Sequence, residues 1–213
     1  MSSCCGPGDL DDIFGPGRAR SDARRYLRKG LSGHGRTIVD VVRAHGIAGR
    51  TVLEIGGGIG DVGLALLEAG ASRAVNVELS RGYEDAARQL IERSGSAARV
   101  EREIGDFVRE AGRIASADAV ILDRVVCCYP DSAALVSAAA GHAREILVLT
   151  FPVDRWWTRL GRGLINVWPR LRGSRFRFYV HPARTVVGAA EAAGLRLRER
   201  RVGILWQLLV FTR

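Results

Sequence analysis

Four short apolar runs, separated by stretches of helical period, constrain this chain more than any other feature. They are Val52-Leu53-Glu54-Ile55, Ala74-Val75-Asn76-Val77, Ala119-Val120-Ile121-Leu122 and Ile146-Leu147-Val148-Leu149. Segments 61–68, 83–93 and 132–143 place leucine, isoleucine or alanine on one helical face, and Gly70 and Gly95 stand where helix-ending glycines fall. Strands that are apolar on both faces and alternate with helices belong to a parallel sheet covered on both sides. A further strand is expected over 100–104. After these come Phe176-Arg177-Phe178-Tyr179-Val180, which reads as a strand, and a helix over 183–193 ended by Gly194. Two runs, 195–201 and 205–211, then meet at a turn containing Gly203. This hairpin makes the sheet mixed at one edge. The fold class is therefore α/β, a doubly wound and mostly parallel sheet.

Two segments lie outside this rhythm. Residues 1–20 hold prolines and glycines and few large apolar groups, and read as a flexible arm. From Ser21, Ala23, Tyr26, Leu27 and Leu31 recur at helical spacing among arginines, and a second helix is expected from Thr37 to His45. Segment 21–45 thus forms an amino-terminal cap. Residues 152–175, with Trp156, Trp157, Trp168 and six arginines, read as a second cap over the sheet edge. At 213 residues the remainder, 21–213, is one domain without room for a second substrate lobe.

Composition excludes several classes. With 47% hydrophobic and 26% charged residues the chain can bury a core without metals or disulfides, which excludes disorder over most of its length. The four cysteines, Cys4-Cys5 and Cys127-Cys128, are too few for a disulfide scaffold and read as reduced thiols in a cytoplasmic protein. No signal peptide is readable and no run of eighteen apolar residues occurs, so neither a membrane span nor a membrane partner is expected. The net charge of +9, from 32 basic residues that are all arginine except Lys29, keeps nucleic acid open as a partner. The arginines are dispersed, however, and no nucleic-acid module is legible. Oligomeric state is not readable.

The most informative stretch is Glu54-Ile55-Gly56-Gly57-Gly58-Ile59-Gly60-Asp61, a strand running through glycines into a helix. Glycines let the backbone turn sharply and approach a ligand, and the helix start offers free N–H groups. Such a loop also serves a tight turn alone. Glu78 ends the next strand about twenty residues later, where an acid grips ribose hydroxyls in nucleotide-binding sheets. Gly105-Asp106-Phe107 follows the third strand and Asp123 ends the fourth. A dinucleotide enzyme also uses glycines and such an acid, but needs space that 213 residues hardly supply, and Glu54 suits an ammonium better than a pyrophosphate.

Over residues 35–213 this pattern resembles the class I S-adenosylmethionine-dependent methyltransferases. The resemblance implies seven strands in the order 3-2-1-4-5-7-6, with the last strand antiparallel and helices on both faces. It implies S-adenosyl-L-methionine as cofactor, with Glu54, Gly56, Gly58 and Gly60 around the methionine and ribose. Glu78, followed by Leu79, would lie at the ribose hydroxyls, Asp106 on the adenine amino group and Phe107 against the ring. Residues from Asp123 to Tyr129 would line the transfer site. Two departures stand out: no N/D-P-P-Y/F motif follows the fourth strand, and Gly57 stands where the family more often has cysteine or alanine.

Displacement at an already activated methyl needs alignment and exclusion of water, and a base only when the acceptor must lose a proton. Candidate catalytic residues are His181, Tyr129 and Asp123. His181, before Pro182, serves either as a base or as a turn hydrogen-bonder, and Tyr129 either contacts substrate or packs its loop. Tyr26, Arg25 or Lys29 on the amino-terminal helix meets the cofactor carboxylate or lies on a solvated face. Cys127-Cys128 packs as small apolar residues or joins Cys4-Cys5 around a soft metal; the packing reading implies no metal site. The arginines of 18–29 and 155–177 flank the expected mouth and favour a small anionic or aromatic acceptor. The alternatives are an RNA methyltransferase and a non-catalytic cofactor-binding partner subunit.

Overall fold

The structure, a computed structural model, describes residues 10–213. In chain order the amino-terminal helices are α1 (Asp11–Phe14), α2 (Pro16–Lys29) and α3 (Gly33–Ala44). The alternating core follows as β1 (Thr51–Ile55), α4 (Asp61–Glu68), β2 (Arg73–Glu78), α5 (Glu84–Arg93), β3 (Val100–Ile104), α6 (Phe107–Glu110), β4 (Ala117–Asp123), α7 (Ser132–His142) and β5 (Ala143–Pro152). The chain closes with α8 (Trp156–Leu171), α9 (Ala183–Ala192), β6 (Arg196–Val202) and β7 (Trp206–Thr212).

The strands form one sheet in the order β3-β2-β1-β4-β5-β7-β6. β1 to β5 pair in parallel, and β7 runs antiparallel between β5 and β6. Strand alternation divides the core in two. Val52, Ile121, Val148 and Val210 face α3, α4 and α5 on one side, while Leu53, Leu122, Leu149 and Phe211 face α7 and α9 on the other. β1 and β4 are adjacent yet far apart in sequence, so their carboxyl ends open a crevice at the point where the strand order reverses.

The boundaries differ from expectation in three places. α2 begins at Pro16 instead of Ser21, because a proline in the first turn loses no helical hydrogen bond. Within the segment expected as an arm, 11–14 and 16–20 are helical, and 1–9 lie outside the described residues. α3 begins at Gly33, because the Ser32 hydroxyl accepts from the Gly35 N–H at 3.0 Å and caps it earlier than Thr37. Segment 176–180 is not a strand. The Asn166 side chain takes both backbone groups of Phe178, at 2.7 and 2.9 Å, and the Tyr179 N–H donates to the Cys127 carbonyl at 2.7 Å. Those partners replace the ladder that the alternating aromatics suggest.

Leu149, central in β5 and fully buried, is expected to cost about 2–5 kcal/mol on truncation to alanine. Leu164→Ala on the outer side of α8 is expected to stay within about 0.5 kcal/mol. Urea unfolding of the two variants distinguishes these outcomes.

Candidate active site

The β1–α4 loop lies at the crevice. Gly56 has φ +64°, and a Cβ there would come within 2.6 Å of Val125 Cγ2 in the loop after β4. The two loops can meet this closely only because the residue has no side chain. The Gly58 N–H donates to Glu78 Oε2 at 2.8 Å and the Ser80 N–H to Glu78 Oε1 at 2.8 Å. The acid that ends β2 is thereby fixed against the glycine loop, with acceptor capacity left on both oxygens. Burial raises the Glu78 pKa, against the opposing Ser80 and Gly58 hydrogen bonds and the Arg102 charge. Gly60 is the N-cap of α4, and Leu79 is half-buried beside Glu78.

A row of polar side chains supports this loop from beneath. Glu54, Asn76 and Arg102 occupy matched positions on β1, β2 and β3. Glu54 Oε2 accepts from Asn76 Nδ2 and from the Gly63 N–H in α4, each at 3.1 Å. Arg102 Nη1 donates to Asn76 Oδ1 at 3.0 Å and to the Gly58 carbonyl at 3.1 Å, while its Nε reaches Glu84 at 3.2 Å. Glu54 is therefore turned into the α4 side of the core, which differs from its expected place at an ammonium. Burial first, and the charge of Asp61 second, push its pKa up to about 8. The row also accounts for Gly57, since a Cβ there would lie 2.3 Å from Asn76 Nδ2 and 2.5 Å from Glu54 Cδ.

The other predicted residues divide into groups. Asp106 caps α6 by accepting from the Val108 N–H at 3.0 Å, and it receives the Tyr129 hydroxyl at 3.2 Å. The phenol of Tyr129 is raised by burial and by that carboxylate. The side chain of Phe107, expected against the adenine ring, lies in the core, edge-on to His142 with ring centroids 5.2 Å apart, because the apolar residue that opens α6 turns inward. Asp123 accepts from Thr150 Oγ1 at 2.5 Å, and the Arg124 N–H donates to the same hydroxyl at 2.9 Å. His181 does not follow a strand. Its Nε2 donates to the Tyr129 carbonyl at 3.0 Å, its ring stacks on Tyr179, and burial lowers its pKa. These contacts match the turn-bonding reading of His181.

One neighbour, Asp61, carries charge that the sequence pattern did not single out. Asp61 opens α4 close to Asp123, Arg25 and Arg124; burial and then Asp123 raise its pKa, and the two guanidiniums oppose that rise. Tyr26 is half-buried, and burial followed by the carboxylates of Glu68, Asp61 and Glu54 raises its phenol. α1 reaches across the loop after β2, where Ser80 Oγ donates to the Phe14 carbonyl at 2.8 Å. The Phe14 ring then meets Phe176 edge-on at 5.5 Å. Amino-terminal and carboxyl-side caps therefore touch. Cys127 and Cys128 are free thiols with sulfurs 3.8 Å apart, and Cys4-Cys5 lie outside the described residues. Among the described residues no group of three or more His, Cys, Asp or Glu is placed to hold a metal.

The fold has many solved counterparts. The magnesium protoporphyrin IX methyltransferase ChlM from Synechocystis PCC 6803 with bound SAH matches with a TM-score of 0.72 and 19% identity, covering 96% of this chain and 98% of that one. An O-methyltransferase family protein from Burkholderia thailandensis matches with a TM-score of 0.72 and 20% identity over 96% of this chain, which spans 62% of that protein. The fold is that of the class I S-adenosylmethionine-dependent methyltransferases. The [4+2]-cyclase SpnF shares it, with a TM-score of 0.61 and 14% identity over 83% of this chain and 80% of that one. Fold and reaction are therefore separate questions. No protein-family model matches the chain, and neither does any curated protein.

Gly57→Ala is expected to cost about 1–3 kcal/mol by overpacking the Glu54–Asn76 contact, measured by thermal or urea unfolding. The folded state holds the Glu54 proton more tightly than the unfolded chain. Its contribution to stability is therefore full below about pH 4.5 and declines as pH rises towards about 8. Glu54→Gln is expected to flatten that decline in denaturant titrations taken across this range.

Proposed function

We propose that this protein transfers the methyl group of S-adenosyl-L-methionine to a small acceptor that is anionic or aromatic. The observation that carries this reading is the Glu78 carboxylate, held at the end of β2 by the Gly58 and Ser80 N–H groups, beside a glycine loop at the β1/β4 crevice. A carboxylate with spare acceptor capacity suits the two hydroxyls of a ribose. The close Gly56–Val125 approach and the bonded Gly58 give a preformed cradle, so the residues present fit the cofactor.

In this reading Gly56, Gly58, Gly60 and Leu79 border the ribose side, and Asp106 takes the adenine amino group. Asp61 and Asp123, with Arg25 and Arg124, offer both signs of charge to a zwitterionic amino-acid end, and Tyr26 borders it. Glu54 acts one layer below, by holding the loop. When bound, the cofactor supplies a sulfonium methyl whose leaving group becomes neutral. The protein then needs to align the acceptor and keep water away, which is the role given to the Phe14–Phe176 contact. Tyr129, its hydroxyl held by Asp106, belongs to the loop after β4 assigned to the transfer site, and His181 positions that loop through the Tyr129 carbonyl.

An anionic acceptor is supported by a cleft of about 590 Å³ at the carboxyl ends of β5 and β6, where Arg155, Arg159, Arg184 and Arg200 outnumber Asp154. The cleft opens at the same carboxyl edge of the sheet as the glycine loop's crevice and shares none of its residues. The free, adjacent thiols of Cys127 and Cys128 support a reducing, cytoplasmic setting.

Isothermal titration with S-adenosylmethionine is expected to show one site, and Glu78→Ala to weaken it at least about tenfold by removing a charged acceptor. Absence of heat from the wild type sinks the cofactor reading. Turnover on carboxylated or hydroxylated aromatics supports the acceptor class, and methylation confined to RNA replaces it.

A further inference from the structure

α8 is amphipathic in the inverted sense. Its inward residues are Thr158, Asn166 and Pro169, all buried, and it is held by hydrogen bonds: Thr158 Oγ1 to the Val153 carbonyl at 2.5 Å, and Asn166 to both backbone groups of Phe178. Its large apolar side chains point outward. Trp156, Leu160, Leu164, Trp168 and Leu171 recur at helical spacing along one stripe and are 57–78% exposed. A surface helix of a globular domain ordinarily turns such a stripe inward. The stripe continues onto the β6–β7 turn, where Ile204 is 81% exposed and its carbonyl accepts from Trp157 Nε1 at 3.1 Å. A contiguous exposed apolar surface of this kind marks a site of interaction.

The charge around the stripe selects the occupant. Residues 155–190 contain eight arginines and no aspartate or glutamate. Arg155 lies over the Trp157 ring at 5.2 Å and Arg172 over Trp168 at 4.2 Å, which keeps positive charge at the margin of the apolar stripe. A second copy of the chain would bring the same arginines against themselves across a two-fold interface. A stripe of three leucines and two tryptophans offers little to a nucleic acid, which needs stacking platforms and phosphate contacts. Hydrocarbon beneath a layer of anionic headgroups satisfies both the stripe and its arginine border.

We propose that the outward face of α8, with the Ile204 turn, docks this protein on an anionic membrane surface. This goes beyond the methyl-transfer reading and does not depend on it. It also revises the expectation of no membrane partner, which rested on the lack of a span; among the described residues no helix is long and apolar enough to cross a bilayer, and α8 lies on the surface instead. Because α8 follows β5 directly, docking would turn the carboxyl end of the sheet towards the lipid.

The test is co-sedimentation of the full chain with vesicles of phosphatidylcholine alone and of phosphatidylcholine mixed with phosphatidylglycerol, without cofactor. Expected are binding to the anionic vesicles only, a blue shift of tryptophan emission, and weakening as salt rises. Leu160→Glu with Leu164→Glu is expected to abolish binding at unchanged melting temperature, since both positions are exposed. Arg170→Gln and Arg172→Gln are each expected to weaken binding about fivefold. Any one of four results overturns the proposal: no binding to anionic vesicles, equal binding to both vesicle types, full binding by the double glutamate variant, or a soluble dimer that Leu164→Glu dissociates.

Discussion

The row Glu54–Asn76–Arg102 is the constraint on which the crevice depends. Three neighbouring strands bury polar groups on one face of the sheet, where unpaired polar atoms are costly. The cost is offset by bonds within the row and by bonds that tie it to the loop and the helix after it: the Gly63 N–H in α4 is bound by Glu54, and the Gly58 carbonyl by Arg102. Sheet register therefore sets loop geometry. A one-residue slip of β2 would carry Asn76 to the opposite face and leave Glu54 without its partner. The same row occupies the space that a side chain at position 57 would need, so the unusual glycine at 57 and the buried acid are one feature.

Above the row, the site is closed from two directions. The loop after β4 descends onto Gly56 through Val125 and carries Arg124 and Tyr129 into place, with Thr150 on β5 bonding both Asp123 and the Arg124 backbone. From the other side α1 crosses the loop after β2 and reaches Phe176. Segment 174–180 is shared between these closures, since Tyr179 bonds the Cys127 carbonyl and Phe178 bonds Asn166 of α8. A change in how α8 is seated would thus pass through Asn166 to the segment that meets Phe14, and from there to the mouth.

The parallel core was legible because its strands are apolar on both faces, and the loop because glycines and Glu78 sit at fixed offsets. What escaped were features that depend on tertiary partners. Phe176 and Phe178 alternate as a strand would, but Asn166 had already taken the backbone bonds. Glu54 reads as a ligand-facing acid until strand alternation assigns it to the α4 side with Val52 and Ile121. Asn76, the one polar residue in the apolar run 74–77, was a readable signal, as a buried amide needs partners; Arg102, on an edge strand among charged residues, was not distinctive. Pro16 and Ser32 were local signals for the helix starts, outweighed by the glycines around them.

The basic charge takes on structure once α8 is placed. The arginines of the helix and its caps serve two different surfaces: Arg155 and Arg159 border the cleft beside the sheet's carboxyl end, while Arg170 and Arg172 accompany the outward apolar stripe. One helix thus links a cleft suited to an anionic small molecule with a face suited to an anionic layer. The inversion of α8 is what permits this, since a helix that buried its leucines would have turned its arginines to bulk water and left neither surface. Its polar seat on Thr158 and Asn166 replaces hydrophobic docking with a few directed hydrogen bonds, which fix its rotation about its axis and hence the direction in which the stripe points.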